Sequence, residues 1–188
     1  VARTVYELLK KILTDDIILP FRIGTTKYLE ENTYGTPIIL LGELSPDEEV
    51  KGAVHMDWTA AGRKLGEAIT AEQSSDLPVW IFADNPYIGK AGEMKQGLTE
   101  VLEKQGFSYT IVPRGTDDTY RSVIEKTVYP GSGTAVVAAL DFASTAEAAE
   151  IVGGSSVYGK YISGLYGVGM MPSLLDQLDK GTIRGLVV

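Results

Sequence analysis

Apolar residues fall along this chain in two alternating patterns. Short uninterrupted runs have the length and continuity of strands: DIILP (16–20), TPIILLG (36–42), AVHMD (53–57), PVWIFAD (78–84), SYTIVP (108–113), TAVVAAL (134–140), SGLYGVG (163–169) and IRGLVV (183–188). Between them, apolar residues recur every three or four positions, as helices require. The stretch 2–13 places Val5, Leu8, Leu9 and Ile12 on one face, and a short helix carries Tyr28 and Leu29. WTAAGRKLGEAITAE (58–72) carries a stripe of Ala61, Leu65, Ala68 and Ile69. Helices are also predicted over 93–105, closed by Gly106, and over 116–129, with Thr116 or Asp117 as cap. Two more follow, over 144–153, ended by Gly153, and over 172–180, with Pro172 in its first turn. The glycine-rich YIGKAGEMK (87–95) reads as a turn into the helix at Glu93. The strands are apolar on both faces, the mark of parallel strands covered by helices on both sides. The predicted class is α/β, with doubly wound parallel sheets.

Charge narrows the possible partners. Seventeen basic against 25 acidic residues give a net charge of −8. Such a surface repels phosphate backbones, and the longest basic cluster, Lys10-Lys11, is too small to override it. Nucleic acid is therefore not an expected partner. No apolar run reaches the roughly 18 residues that a membrane span needs. Arg3, Glu7, Lys10 and Lys11 interrupt the first apolar positions, unlike a signal-peptide core, which places any export leader outside this chain. The chain has no cysteine, which excludes disulfides and thiolate chemistry, and its lone histidine, His55, cannot build a multi-histidine metal site. His55 sits between Val54 and Met56 in a strand, where a structural or edge role suffices.

In open parallel sheets, ligands bind beyond the carboxyl ends of the strands. Those ends carry Phe21 and Arg22, Asp57 and Trp58, Asp84 and Asn85, Asp141 and Phe142, and Gly169-Met170-Met171. Three strands thus end in aspartate. Helix capping accounts for any one of them, because an aspartate at a strand-to-helix turn satisfies free backbone N–H groups. The fold, however, sets all three around one rim. Trp58 and Phe142 each follow one of these carboxylates, a combination suited to a sugar, which has apolar faces and hydroxyl edges. Trp80, inside PVWIFA, belongs to the core. No serine or cysteine nucleophile pairs with His55 in a recognisable motif. GSGT (131–134) precedes a strand instead of opening a helix, and YIGKAGEMK lacks the phosphate-loop pattern. The expectation is binding without turnover, with no cofactor and no metal.

Four stretches, VHMDWTAAGRKLGEAI, VWIFADNPYIGKAGEMKQGLTEVLEKQGFSY, TAVVAALDFASTAEAAEIV and LYGVGMMPSLLDQLDKGTIRGLVV, occur in an order that resembles type I periplasmic binding proteins. The same fold forms the effector domains of LacI-type repressors. The resemblance covers nearly the whole chain. It implies two α/β lobes with the ligand in the cleft between them: residues 1–57 as part of lobe 1, 58–184 as lobe 2, and 185–188 as the start of a strand returning to lobe 1. It implies a solute-binding protein of a bacterial ABC importer, extracytoplasmic as a lipoprotein or secreted protein, whose partners are a small sugar-like ligand and a permease. The alternative that it carries is a cytoplasmic transcription regulator. Segments that the family places before Val1 and after Val188 are absent, so the chain resembles a fragment. Its shortened lobe 1 would expose a sheet edge near Val1, Val5, Leu9, Val187 and Val188, open to a second copy.

Sugar binders of this family often carry Arg three residues before the glycine that is Gly97 here, Asn before the aspartate that is Asp141, and Asp at the end of the YGVG strand. This chain has Met94, Leu140 and Gly169. The resemblance then implies a less polar ligand, or one read by Asp57, Asp84, Asn85, Tyr87 and lobe 1.

Overall fold

The computed structural model describes residues 17–20, 38–42, 52–113, 120–128 and 134–187. The helices expected over 2–13 and around Tyr28, and the cap at Thr116 or Asp117, lie outside these residues. The chain divides into two compact units, Val1–Met56 and Asp57–Val188. In the first, β1 (Ile17–Pro20), β2 (Ile38–Gly42) and β3 (Gly52–His55) form a parallel three-stranded sheet in sequence order. His55 closes β3 and is exposed, with Nδ1 3.3 Å from the Met56 carbonyl.

In the second unit the elements run α1 (Trp58–Glu72), β4 (Val79–Ala83), α2 (Gly89–Lys104), β5 (Tyr109–Pro113), α3 (Tyr120–Val128), β6 (Ala135–Ala139), α4 (Phe142–Gly153), the short α5 (Tyr158–Tyr161), β7 (Ile162–Val168), α6 (Pro172–Asp179) and β8 (Gly185–Val187). The strands form one five-stranded sheet in the order β5-β4-β6-β7-β8, every described pairing parallel. The doubly wound class read from the apolar runs is thus what the chain adopts. Because the chain starts at β4, moves out to β5 and returns past β4 to β6, the winding direction reverses between β4 and β6.

β4 and β6 are buried along their whole length, so both faces need cover. Side chains alternate across a strand, and the two covers follow that alternation. Val79, Ile81, Ala83, Val136, Ala138 and Leu140 face Leu65 and Ile69 of α1 and Met94, Leu98 and Leu102 of α2. Trp80, Phe82, Val137 and Ala139 face Tyr120, Ala148, Ile151 and Leu174. Trp80 is a core residue, as its run implied, and the rings of Phe82 and Tyr120 stack with centroids 4.4 Å apart.

α1 and α2 approach backbone to backbone. A Cβ on Gly62 would lie 2.0 Å from the Met94 carbonyl oxygen, and one on Gly97 would lie 1.9 Å from that of Thr59. α2 also begins at Gly89, four residues before the sequence-based start at Glu93, taking in the segment read as a turn. Lys90 and Ala91 are good helix formers, and Gly92 N already bonds back to the Ile88 carbonyl at 3.2 Å.

At the C-terminal end, Gly185–Val187 pairs with β7 as an edge strand of the five-stranded sheet. Val187 is half-buried against the α1–α2 layer. Its carbonyl accepts from Gly169 N at 3.0 Å, which gives the run a partner within its own unit.

Tyr166 on β7 is fully buried. Its hydroxyl donates to Glu72 Oε2 at 2.8 Å and accepts from Gln73 Nε2 at 2.9 Å. Burial above all pushes its pKa up to about 12, Glu72 adds in the same direction, and the Gln73 bond opposes. The unfolded phenol titrates near 10, so the native state holds the proton longer. Stability from this group is complete below about pH 10 and is lost as pH rises toward about 12, at most about 2.7 kcal/mol. The urea midpoint should fall between about pH 8 and about pH 11, and Tyr166→Phe should fall measurably less over the same interval. Equal falls would mean that Tyr166 is not a source of the alkaline loss.

Candidate functional site

The carboxyl ends of β4, β6 and β7 meet at the first turn of α4, and Asp141 organises the meeting. Its Oδ1 accepts from Ser144 N at 2.8 Å, the bond of a helix N-cap. Its Oδ2 accepts from Ser144 Oγ and from the Asp84 backbone N, each at 2.8 Å. The buried Ser144 hydroxyl lies 2.7 Å from Tyr120 Oη. Thr145, also buried, donates to the Asp141 carbonyl at 2.8 Å and accepts from Val168 N at 3.0 Å. One helical turn therefore holds the ends of three adjacent strands. It does so at the β4–β6 reversal, the place where ligands bind in open α/β sheets.

The other rim residues divide by what already engages them. Asp57 caps α1, with Oδ1 2.8 Å from Ala60 N. Asn85 Oδ1 accepts from Tyr87 N at 3.1 Å, closing a tight turn. The exposed Asp84 carboxylate makes no hydrogen bond or ion pair to a described residue. Trp58 is half-buried, with Lys90 Nζ 5.6 Å from its ring centroid. Tyr87 is exposed, with Lys95 Nζ 4.8 Å from its ring. Both distances suit cation–π attraction. Phe142 is 45% exposed and Met170 73% exposed. Phe21 and Arg22 lie outside the described residues.

The three positions with apolar or small residues have structural explanations. Met94 is fully buried in the α1–α2 layer and Leu140 is nearly so, so both side chains lie under the rim. Gly169 has φ of 140°, where only glycine is at ease, and a Cβ there would meet Leu174 Cδ1 at 2.7 Å and Phe142 Cδ2 at 3.2 Å. That contact also places Phe142 beside the start of the Met170 turn.

Sequence reasoning passed over Ile88 and Met171, which are 68% and 50% exposed. It also passed over the two lysines that cover the aromatic rings. The available signal was the apolar pair Tyr87-Ile88 in a polar turn with nothing local to pack against.

No family model matches the chain, and no curated protein does. Solved structures do match. The chain is similar to GanP, a glucose-galactose binding protein from Geobacillus stearothermophilus, with 15% identity over 97% of this chain and 66% of that one, at a TM-score of 0.67. The periplasmic component of an ABC-type sugar transport system from Hahella chejuensis matches with 17% identity, 98% and 69% coverage and a TM-score of 0.70. A periplasmic ribose ABC transporter protein from Conexibacter woesei matches with 15% identity, 97% and 63% coverage and a TM-score of 0.72. The chain spans about two thirds of the length of these structures. The fold is the doubly wound α/β fold of type I periplasmic binding proteins. Among the described residues no helix is long and apolar enough to cross a membrane.

Proposed function

We propose that this chain is the ligand-binding part of a solute-binding protein of a bacterial ABC importer, working outside the cytoplasm with a membrane permease. It holds a small sugar-like molecule at the carboxyl-end rim of the second unit and does not transform it. What supports the reading is the combination at the β4–β6 reversal: the Asp84 carboxylate, unengaged by any described residue, beside exposed Phe142, Met170 and Tyr87. Most other polar groups of the rim are already occupied by capping and turn bonds. Asp84 accepts hydrogen bonds from ligand hydroxyls, while Phe142 and Trp58 cover apolar ring faces. With so few free polar groups among the described rim residues, the ligand is a sugar with substantial apolar surface, such as a deoxy sugar or a glycoside with an apolar aglycone. Asp141 positions the rim and is not itself the main contact.

Calorimetric titration of the chain with pentoses, hexoses, deoxy sugars and aryl glycosides tests this. Asp84→Ala is expected to weaken the best ligand by about tenfold to a hundredfold, the value of a charge-assisted hydrogen bond of ~1.5–3 kcal/mol. Its unfolding free energy from urea denaturation should stay within about 0.5 kcal/mol of wild type, because the side chain bonds to no described residue. Unchanged affinity in this variant would place the ligand elsewhere.

A further inference from the structure

At the opposite end of the same sheet, where β6, β7 and β8 begin, lies a polar cavity of about 540 Å³. Lys160 of α5, Lys180 at the end of α6 and Arg184 before β8 line it, together with the hydroxyls of Ser155, Ser163 and Thr182. No aspartate or glutamate is among its described lining residues, in a chain with 25 acidic residues and a net charge of −8. Basic side chains near helix C-termini often only answer the negative end of the helix dipole. Lys180 fits that role, since Asp176 Oδ2 already pairs with it at 2.5 Å. Lys160 and Arg184 make no hydrogen bond or ion pair through their side chains to a described residue. A neighbouring hollow of about 470 Å³ shares Ser163 and Arg184 and contains Glu72, whose Oε2 accepts from Tyr166 Oη at 2.8 Å. An anion is therefore favoured on the Lys160–Lys180 side of Arg184.

We propose that this cavity is a second binding site, separate from the sugar rim, for a small phosphate monoester. Two cations without a partner among the described residues and one partly neutralised cation match a doubly charged phosphoryl group. Arg184 and the hydroxyls of Ser155 and Thr182 supply directional donors for its oxygens, while Ser163 Oγ already donates to Gln73 Oε1 at 2.7 Å. The volume exceeds what a bare phosphate fills and lies in the range of small-metabolite sites, leaving room for a polyol body against Ser155 and Thr182. The proposal does not depend on the rim's role, because the two sites sit at opposite ends of the strands.

The probe is ribose 5-phosphate, titrated at low salt against the whole chain, with ribose and inorganic phosphate alongside. Ribose 5-phosphate should bind at least about tenfold tighter than ribose and tighter than inorganic phosphate. Combined Lys160→Gln and Arg184→Gln substitution should weaken it at least about tenfold at an unchanged urea midpoint. Asp176→Asn, which releases Lys180, should tighten it several-fold, whereas Glu93→Gln, the same charge change on α2 at the other end of the sheet, should not. Absence of saturable binding up to about 10 mM overturns the proposal. So does binding that survives the double substitution, or equal responses to Asp176→Asn and Glu93→Gln. Binding of ribose lost in Asp84→Ala but retained in the double variant reports on the rim alone, so the two readings fail separately.

Discussion

Gly97→Val is expected to leave the second unit unfolded, or folded only with a several-kcal/mol loss of stability. The position sits mid-helix, where replacing glycine by alanine ordinarily gains about 1 kcal/mol of helix propensity. Here the first added carbon would stand 1.9 Å from the Thr59 carbonyl oxygen and 2.9 Å from Arg63 N. Neither atom can swing aside, because both belong to the backbone of α1. Relief requires the two helices to separate, and separation opens the layer that buries Leu65, Met94 and Leu98. Overpacking a core costs about 1–3 kcal/mol even when side chains can adjust. A backbone–backbone clash lies at or beyond the top of that range, against a total stability of ~5–15 kcal/mol for a domain. Gly97→Ala should therefore lose at least about 2 kcal/mol despite its propensity gain. Gly159→Ala, where a Cβ meets nothing within 4 Å, should be neutral or slightly stabilising. Urea denaturation of the three variants checks the order. Wild-type stability in Gly97→Ala would show that the helices do not approach this closely.

That contact marks where sequence reasoning stopped. Each described strand was legible because its apolar run is continuous, as in VWIFA and AVVAA, which are buried from end to end. Helix α1 was legible to the residue, because Asp57 and a regular apolar stripe fix its start and face. The start of α2 was not legible. Gly89, at φ 56°, and Gly92 are turn residues by local preference, and that preference masks the helix start. The short α5 has too few residues to show a period. At the site, the three aspartates could be placed at strand ends, but their roles could not be separated. Capping and ligand contact use the same residue type at the same position, and the difference lies in what donates to each oxygen. Asp57 and Asp141 turn inward to helix N–H groups, and Asp84 does not.

That difference gives Asp84 and Asp141 opposite signatures, and Asp141→Ala should have the larger effect on the fold. The substitution removes the α4 cap, worth about 1 kcal/mol. It also leaves the Ser144 hydroxyl and the Asp84 N–H without their acceptor, at roughly 1–3 kcal/mol for each group that stays buried. Ser144 retains Tyr120 as a partner, which limits its share. The expected total is about 3 kcal/mol of destabilisation. Affinity at the rim should fall with it, because the end of β4 is no longer tied to α4 and Asp84 and Phe142 lose their shared support. Asp141→Asn separates these parts. Its amide oxygen can still cap Ser144 N, but its NH₂ group would face two donors, so about half of the loss should remain. Asp57→Ala, which removes a cap alone, should cost about 1 kcal/mol. Urea midpoints and calorimetric affinities for the same set of proteins, with Asp84→Ala beside them, give the comparison. Affinity lost with stability intact is expected only for Asp84→Ala. If Asp141→Ala shows that pattern instead, its carboxylate is the ligand contact and the tie between β4 and α4 is incidental.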